Sequence, residues 1–242
     1  MGRLSVSAVP VLTDNYVWLI HNAESGETAA VDPSVGEPVL DAAAANGVRI
    51  TQVLNTHWHP DHTGGNLALK ETTKARISGP ASGKIPGRDV ALSEGSEIRL
   101  GNHVGRVIEV PGHTLDHVAL VFEPEGLAFV GDTLFAMGCG RLFEGTPQQM
   151  FRSLERLAGL PKDMRLYPAH EYTLSNARFA AHADPSNGAV AERLQQVQAL
   201  RDAGTITLPT TVAEEAETNP FVRASDWEEF ARLRAAKDSF RS

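Results

Sequence analysis

Apolar and polar positions alternate through Ser5-Val6-Ser7-Ala8-Val9, the period of a half-buried strand. Tyr16-Val17-Trp18-Leu19-Ile20 is instead a continuous apolar run, as a fully buried strand requires, and Thr13-Asp14-Asn15 between them reads as a turn. Thr28 to Val31 is a further short strand, ended by Asp32-Pro33. A helix follows over roughly residues 37–46, with Gly47 where helices stop. Ile50 to Leu54 is β-prone, and Gly64-Gly65-Asn66 leads into a helix over about residues 67–73. Residues 75–105 alternate short strands with turns, one of which holds His103. Thr146-Pro147-Gln148-Gln149 opens a helix that runs to about Ala158: an N-cap, a proline in the first turn and a capping-box glutamine. Helical spacing returns over residues 174–182, 189–203 and 226–239, the last begun by Ser225 or Asp226.

Three of the remaining apolar runs share a design: a short strand, then a residue able to ligate a metal. Val107-Ile108-Glu109-Val110 precedes His113, Leu127-Ala128-Phe129-Val130 precedes Asp132, and Arg165-Leu166-Tyr167 precedes His170. A fourth case follows Ile50–Leu54 and is much denser. Thr56-His57-Trp58-His59-Pro60-Asp61-His62 packs three imidazoles and a carboxylate into six residues, a nitrogen and oxygen set suited to divalent transition metals. His57 and His59 are two apart and point the same way in extended chain. Pro60 bends the path, and the adjacent Asp61 and His62 diverge, so one segment can serve two points in space. A sheet can bring four such strand ends together. His21, at a strand end, and His117 read as an ordinary polar residue and a supporting residue, not as ligands.

Length and charge narrow the partners. With 242 residues the chain can bury a sizeable core, as one large domain or a domain plus a small addition. A net charge of -8 argues against nucleic acid or an anionic membrane as partner. No run of eighteen apolar residues is present, and Met1 to Val6 lacks the apolar core of a signal peptide, so a cytoplasmic protein is expected. The single cysteine, Cys139, excludes an internal disulfide and reads as a small packed residue between two glycines.

The histidine stretch resembles the signature of the metallo-β-lactamase superfamily. Further segments resemble one family within it, glyoxalase II (hydroxyacylglutathione hydrolases): Asp14-Asn15-Tyr16, Gly131 to Phe135 continuing into Gly138 to Gly145, His170-Glu171-Tyr172-Thr173, and the tail with Asn219-Pro220-Phe221 and Arg234-x-x-Lys237-Asp238. Two positions depart from the family pattern: Pro168-Ala169 stands where many relatives have Cys-Gly, and Phe143 where many have tyrosine. The resemblance implies an α/β αββα sandwich over residues 1–172 and a small helical, substrate-binding domain over residues 173–242. It implies two divalent metal ions, zinc with iron or manganese also acceptable. His57, His59 and His113 would hold the first, Asp61, His62 and His170 the second, with Asp132 bridging. Asp61 and Asp132 would be the catalytic carboxylates. Arg141, Phe143, Tyr172, Arg234 and Lys237 would face the substrate, the last pair gripping a carboxylate of glutathione near solvent. The implied reaction is hydrolysis of S-D-lactoylglutathione and related 2-hydroxyacyl thioesters by a monomeric enzyme. Alternatives are a persulfide dioxygenase of the same fold, a metallo-hydrolase acting on another thioester, and a non-catalytic metal-binding module.

Overall fold

The structure, a computed structural model, describes residues 3–241. Its chain divides into two compact units, one running up to Glu109 with Asp116–Gly131, the other comprising Val110–Leu115 and Asp132 onward.

The first unit holds β1 (Ser5–Val11), β2 (Asn15–His21), β3 (Thr28–Val31), α1 (Gly36–Ala45), β4 (Gln52–Leu54), α2 (Pro60–Thr63), α3 (Asn66–Thr73), β5 (Arg76–Pro80), β6 (Val90–Leu92), β7 (Glu97–Leu100), β8 (His103–Glu109), β9 (Val118–Phe122) and β10 (Leu127–Gly131). Strands β1 to β6 form one sheet in sequence order, antiparallel from β1 to β3 and parallel from β3 to β6. The change has a local cause. Two-residue turns can join antiparallel neighbours, whereas parallel neighbours need a crossover, supplied here by α1 between β3 and β4, by α2 and α3 between β4 and β5, and by the loop 81–89 between β5 and β6. Period-two positions Val9, Val11, Val17, Leu19, Ala30, Val53 and Ile77 share a core with Val39 and Ala43 of α1 and Leu69 of α3. Strands β7 to β10 pair antiparallel in order, and β9 and β10 are buried along their whole length.

Several sequence expectations shift here. Asp61 and His62 lie in the one-turn helix α2, which no period of so few residues could announce. His103 begins β8 instead of lying in a turn. It is buried, with Nδ1 2.5 Å from Glu125 Oε1.

The second unit holds β11 (Leu134–Phe135), β12 (Gly138–Cys139), α4 (Pro147–Ala158), β13 (Arg165–Pro168), α5 (Thr173–Ala183), α6 (Gly188–Asp202), β14 (Thr210–Thr211), α7 (Val212–Thr218) and α8 (Trp227–Ser239). The capping box of α4 forms as expected: Gln149 N donates to Thr146 Oγ1 and Thr146 N to Gln149 Oε1. Asp226 caps α8. Phe221 joins the helices, stacking on Phe179 of α5 at 5.8 Å and meeting Phe230 of α8 at 5.8 Å. No helix among the described residues is long and apolar enough to cross a membrane.

One buried carboxylate ties this unit together. Glu215 of α7 accepts from Arg193 Nη2 at 2.8 Å, Thr210 Oγ1 at 2.6 Å, Asn219 Nδ2 at 2.8 Å and the Met137 amide at 2.8 Å. Removing it leaves a nearly buried guanidinium without its counter-charge, a loss of about 3–5 kcal/mol, against about 1 kcal/mol for a lost helix cap. In urea denaturation, Glu215→Ala should therefore lose several times the stability that Thr146→Ala loses. Equal losses would show that the Glu215 network contributes no more than a cap.

Candidate metal centre

The C-terminal ends of the parallel strands β3 and β4 carry the first group of donors. Asp32 follows β3 and adopts a left-handed backbone (φ 52°), uncommon for a residue other than glycine. Its carboxylate compensates for that strain. Oδ1 accepts from the Thr56 amide at 2.8 Å, Oδ2 from Thr56 Oγ1 at 2.6 Å, and His62 Nδ1 lies 3.1 Å from Oδ2. The Thr56 hydroxyl gives its one proton to Asp32, so at 3.1 Å it accepts from His57 Nδ1. Both rings thus carry their proton on Nδ1 and present the Nε2 lone pair, the tautomer a metal ligand needs. His117, fully buried, stacks on His57 at 4.6 Å and 18°.

The donor atoms of this unit come in close pairs. His57 Nε2 lies 3.1 Å from His59 Nδ1, and His62 Nε2 lies 3.5 Å from Asp61 Oδ2. Asp32, His57 and His62 also offer ligand atoms that all fall within 4.8 Å of one another. Asp61 and His62 therefore converge instead of diverging, because the turn of α2 lets the longer imidazole reach back to the carboxylate. Asn15 Nδ2 donates to Asp61 Oδ2 at 3.3 Å and fixes that carboxylate, whose side chain is 41% exposed.

The second unit has an equivalent arrangement of its own. His113 Nε2 and His170 Nε2 each lie 3.4 Å from one oxygen, Asp132 Oδ2. His113 Nδ1 donates to Arg141 O at 2.8 Å, which again places the lone pair on Nε2. His170, at the end of β13, stacks beneath Tyr172 at 4.7 Å and 6°.

These spacings fit a divalent cation. Two ligand atoms each about 2.0–2.1 Å from one ion lie roughly 3.0–3.4 Å apart in tetrahedral to octahedral geometry. The donor pairs in both units fall at or close to that span, with imidazole and carboxylate donors of the type zinc, iron and manganese accept.

Residues expected to face a substrate divide into two sets. Arg141 is 68% exposed, with Nε 3.7 Å from Asp238 Oδ1. Phe143 is 64% exposed and sets its edge against His113 at 5.2 Å. Lys237 Nζ donates to Ser175 O at 2.9 Å and Oγ at 3.0 Å. Burial, then repulsion from Arg234 and Arg141, pulls its pKa down from 10.5 to about 8. Arg234 is not near solvent as the tail pattern suggested. It is buried, donating to Cys139 O at 2.9 Å and Asp238 Oδ1 at 2.8 Å, over the Phe221 ring. Cys139 is buried as expected, and desolvation lifts its thiol to about 11, so it is no nucleophile near neutral pH.

Sequence reasoning passed over Asp32 as a strand terminator. The signal is present: Thr28-Ala29-Ala30-Val31 followed by Asp32 repeats the design of strand and then polar residue seen four times elsewhere.

The model of the metallo-beta-lactamase superfamily matches residues 12–170, and that of the hydroxyacylglutathione hydrolase C-terminus matches residues 171–240. Hydroxyacylglutathione hydrolase of Methylococcus capsulatus is 50% identical, over 98% of this chain and 99% of that one. Among solved structures, ETHE1 from Myxococcus xanthus is similar with a TM-score of 0.76 at 27% identity, covering 98% and 92% of the two chains. TTHA1623, in a di-iron-bound form, is similar with a TM-score of 0.63 at 25% identity, covering 90% and 99%.

Asp32 is buried and orients two donor rings, His62 directly and His57 through the Thr56 hydroxyl. Loss of such a supporting carboxylate weakens metal binding about 10–100-fold. Zinc titration against a competing chelator should show that loss for Asp32→Ala, with the circular-dichroism spectrum retained. An unchanged zinc affinity would remove Asp32 from the centre.

Proposed function

The chain belongs to the hydroxyacylglutathione hydrolases of the metallo-beta-lactamase superfamily, and from that membership we propose that it hydrolyses S-D-lactoylglutathione, and other 2-hydroxyacyl thioesters of glutathione, to the free acid and glutathione. The observation that carries the reading is the set of tethered donors with ligand-to-ligand spacing in each unit.

The donors fit a pair of divalent cations, zinc first, with iron or manganese also suited to the set. His57, His59 and His113 would hold one, Asp61, His62 and His170 the other, and Asp132 would be common to both. The two nitrogens that share Asp132 Oδ2 support that role. When bound, such a pair supplies a nucleophile from water at about neutral pH and draws charge from the carbonyl oxygen.

The chain's own residues then have three tasks. Asp32, Thr56 and Arg141 O keep the rings in one tautomer and orientation. Asp61, the most exposed of the carboxylates, would accept a hydrogen bond from the attacking water through its remaining oxygen and orient it. Its tether to Asn15 leaves it little freedom, which lowers the reorganisation the step requires. No residue is needed as a strong acid, because a thiolate leaves readily. Cys139, protonated and buried, takes no part.

Residues 173–242, with Arg141, Phe143 and Tyr172, form the substrate-binding part. Lys237 and Arg141 bring positive charge to glutathione's carboxylates despite the net charge of -8. Tyr172 and Phe143 offer ring faces beside the donors they pack on. Arg234, whose guanidinium is already engaged, holds the segment that carries Arg141. We place this activity in the cytoplasm, in a monomer, as the step that consumes the thioester in methylglyoxal detoxification.

Purified protein reloaded with zinc should release thiol from S-D-lactoylglutathione, and chelation should abolish the release. The free-enzyme profile of kcat/KM carries a further signature. Lys237 is charged below about pH 8 and loses its charge as pH rises through that value. Wild-type kcat/KM should therefore fall above about pH 8, by up to about tenfold, the value of a partly exposed charge-assisted contact of about 1.4 kcal/mol. Lys237→Arg should hold kcat/KM level to pH 9.5, and Lys237→Met should be low throughout. Coincident profiles for wild type and Lys237→Met would show that this ammonium does not hold the substrate.

A further inference from the structure

The segment between Asp132 and Arg141 is a small hairpin, β11 and β12, joined through Ala136 and Met137. Two strands of two residues cannot hold a shape by themselves. Met137 is also left-handed (φ 57°), a strained backbone that must be compensated from outside.

The C-terminal helices supply the compensation, one backbone group at a time. Asn219, fully buried after α7, donates through Nδ2 to Gly138 O at 2.9 Å and Phe135 O at 3.2 Å. Asn176 of α5 donates to Ala136 O at 3.1 Å. Arg234 of α8 donates to Cys139 O at 2.9 Å. Glu215 of α7 accepts from the strained Met137 amide at 2.8 Å.

At its other end the hairpin bears on two metal donors. The Gly140 amide donates to Thr133 O at 3.2 Å, closing the loop onto the residue after Asp132. A Cβ at Gly140 would overlap the Asp132 carbonyl and come within 3.1 Å of His113 Nδ1, so only glycine leaves those groups where they are. Arg141 O takes the His113 Nδ1 proton, and the Phe143 amide donates to His113 O at 3.2 Å. A displaced hairpin therefore displaces Asp132 and His113 together.

We infer that Asn219, with Asn176 and Arg234, is a positioning residue of the metal centre, holding hairpin 134–139 so that Asp132 and His113 converge. The C-terminal helices thereby help to build the centre, besides any contact they make with glutathione. This inference rests on the proposed metal-dependent reading of the site.

The test measures zinc affinity by chelator competition, together with kcat and KM, on full-length wild type, Asn219→Ala, Asn176→Ala and Thr146→Ala. Thr146 caps α4 and makes no bond to the hairpin, so it reports general loss of stability. Asn219→Ala should bind zinc about 10–100-fold more weakly and lose kcat, with KM within about twofold of wild type. Asn176→Ala, which loses one bond, should weaken zinc by roughly threefold or more in the same direction. Thr146→Ala should bind zinc as wild type does. Wild-type zinc affinity in both asparagine variants would overturn the inference, and so would equal weakening in Thr146→Ala. If Asn219→Ala does not fold, Asn176→Ala decides on the same criterion. A wild type that binds zinc without releasing thiol would refute the thioesterase reading and leave the zinc comparison decisive.

Discussion

An imidazole serves best as a metal donor when its other nitrogen is tied down. A loose ring samples two tautomers and many orientations, and binding an ion must then order it at an entropic cost. In this protein that constraint is met before any ion arrives. His57 is tied by Thr56, His62 by Asp32 and His113 by Arg141 O. Each tether is a single hydrogen bond of modest net value, on the order of 1 kcal/mol. Their effect on the centre exceeds that sum, because each fixes where a lone pair points.

The fold is arranged to supply those tethers. Asp32 and Thr56 reach each other because β3 and β4 are adjacent parallel strands, with Val31 level with Leu54. Parallel pairing places both strand ends on one edge, where polar groups can collect outside the apolar sheet. Gly131, at the end of β10, keeps space there: a side chain at that position would run into Thr56 Oγ1 and the His117 ring. In the second unit Asn176 of α5, Asn219 just after α7 and Arg234 of α8 hold the hairpin. The two units thus reach the same local result by different means, strand pairing in one and side-chain amide and guanidinium donors in the other.

Much of this was legible in the chain. The runs at Ser5–Val9, Tyr16–Ile20 and Thr28–Val31 became strands because their periods match one-sided and two-sided burial. The Thr146 and Asp226 caps were readable because capping is local chemistry. Helix α7 has no counterpart in the pattern reading, although Thr211 and Glu214 form a capping box of the same kind, because seven residues are too few to display a helical period. Arg234 was misplaced for a different reason. Its burial is decided by the Cys139 carbonyl, 95 residues away in sequence, and the weak sidedness of α8 carries no trace of that partner. Long-range hydrogen bonds of this type leave no period, so sequence pattern alone cannot place them.

Asp132 is the carboxylate that two imidazoles of one unit share and that a paired centre would require as its bridge. The direct measurement is metal content per chain, by elemental analysis, on the same samples used for turnover of S-D-lactoylglutathione. Fully active protein should carry two divalent ions, and Asp132→Ala one or fewer, with turnover nearly abolished. One ion per chain at full activity, or an Asp132→Ala variant that keeps both ions and its turnover, would contradict the paired centre.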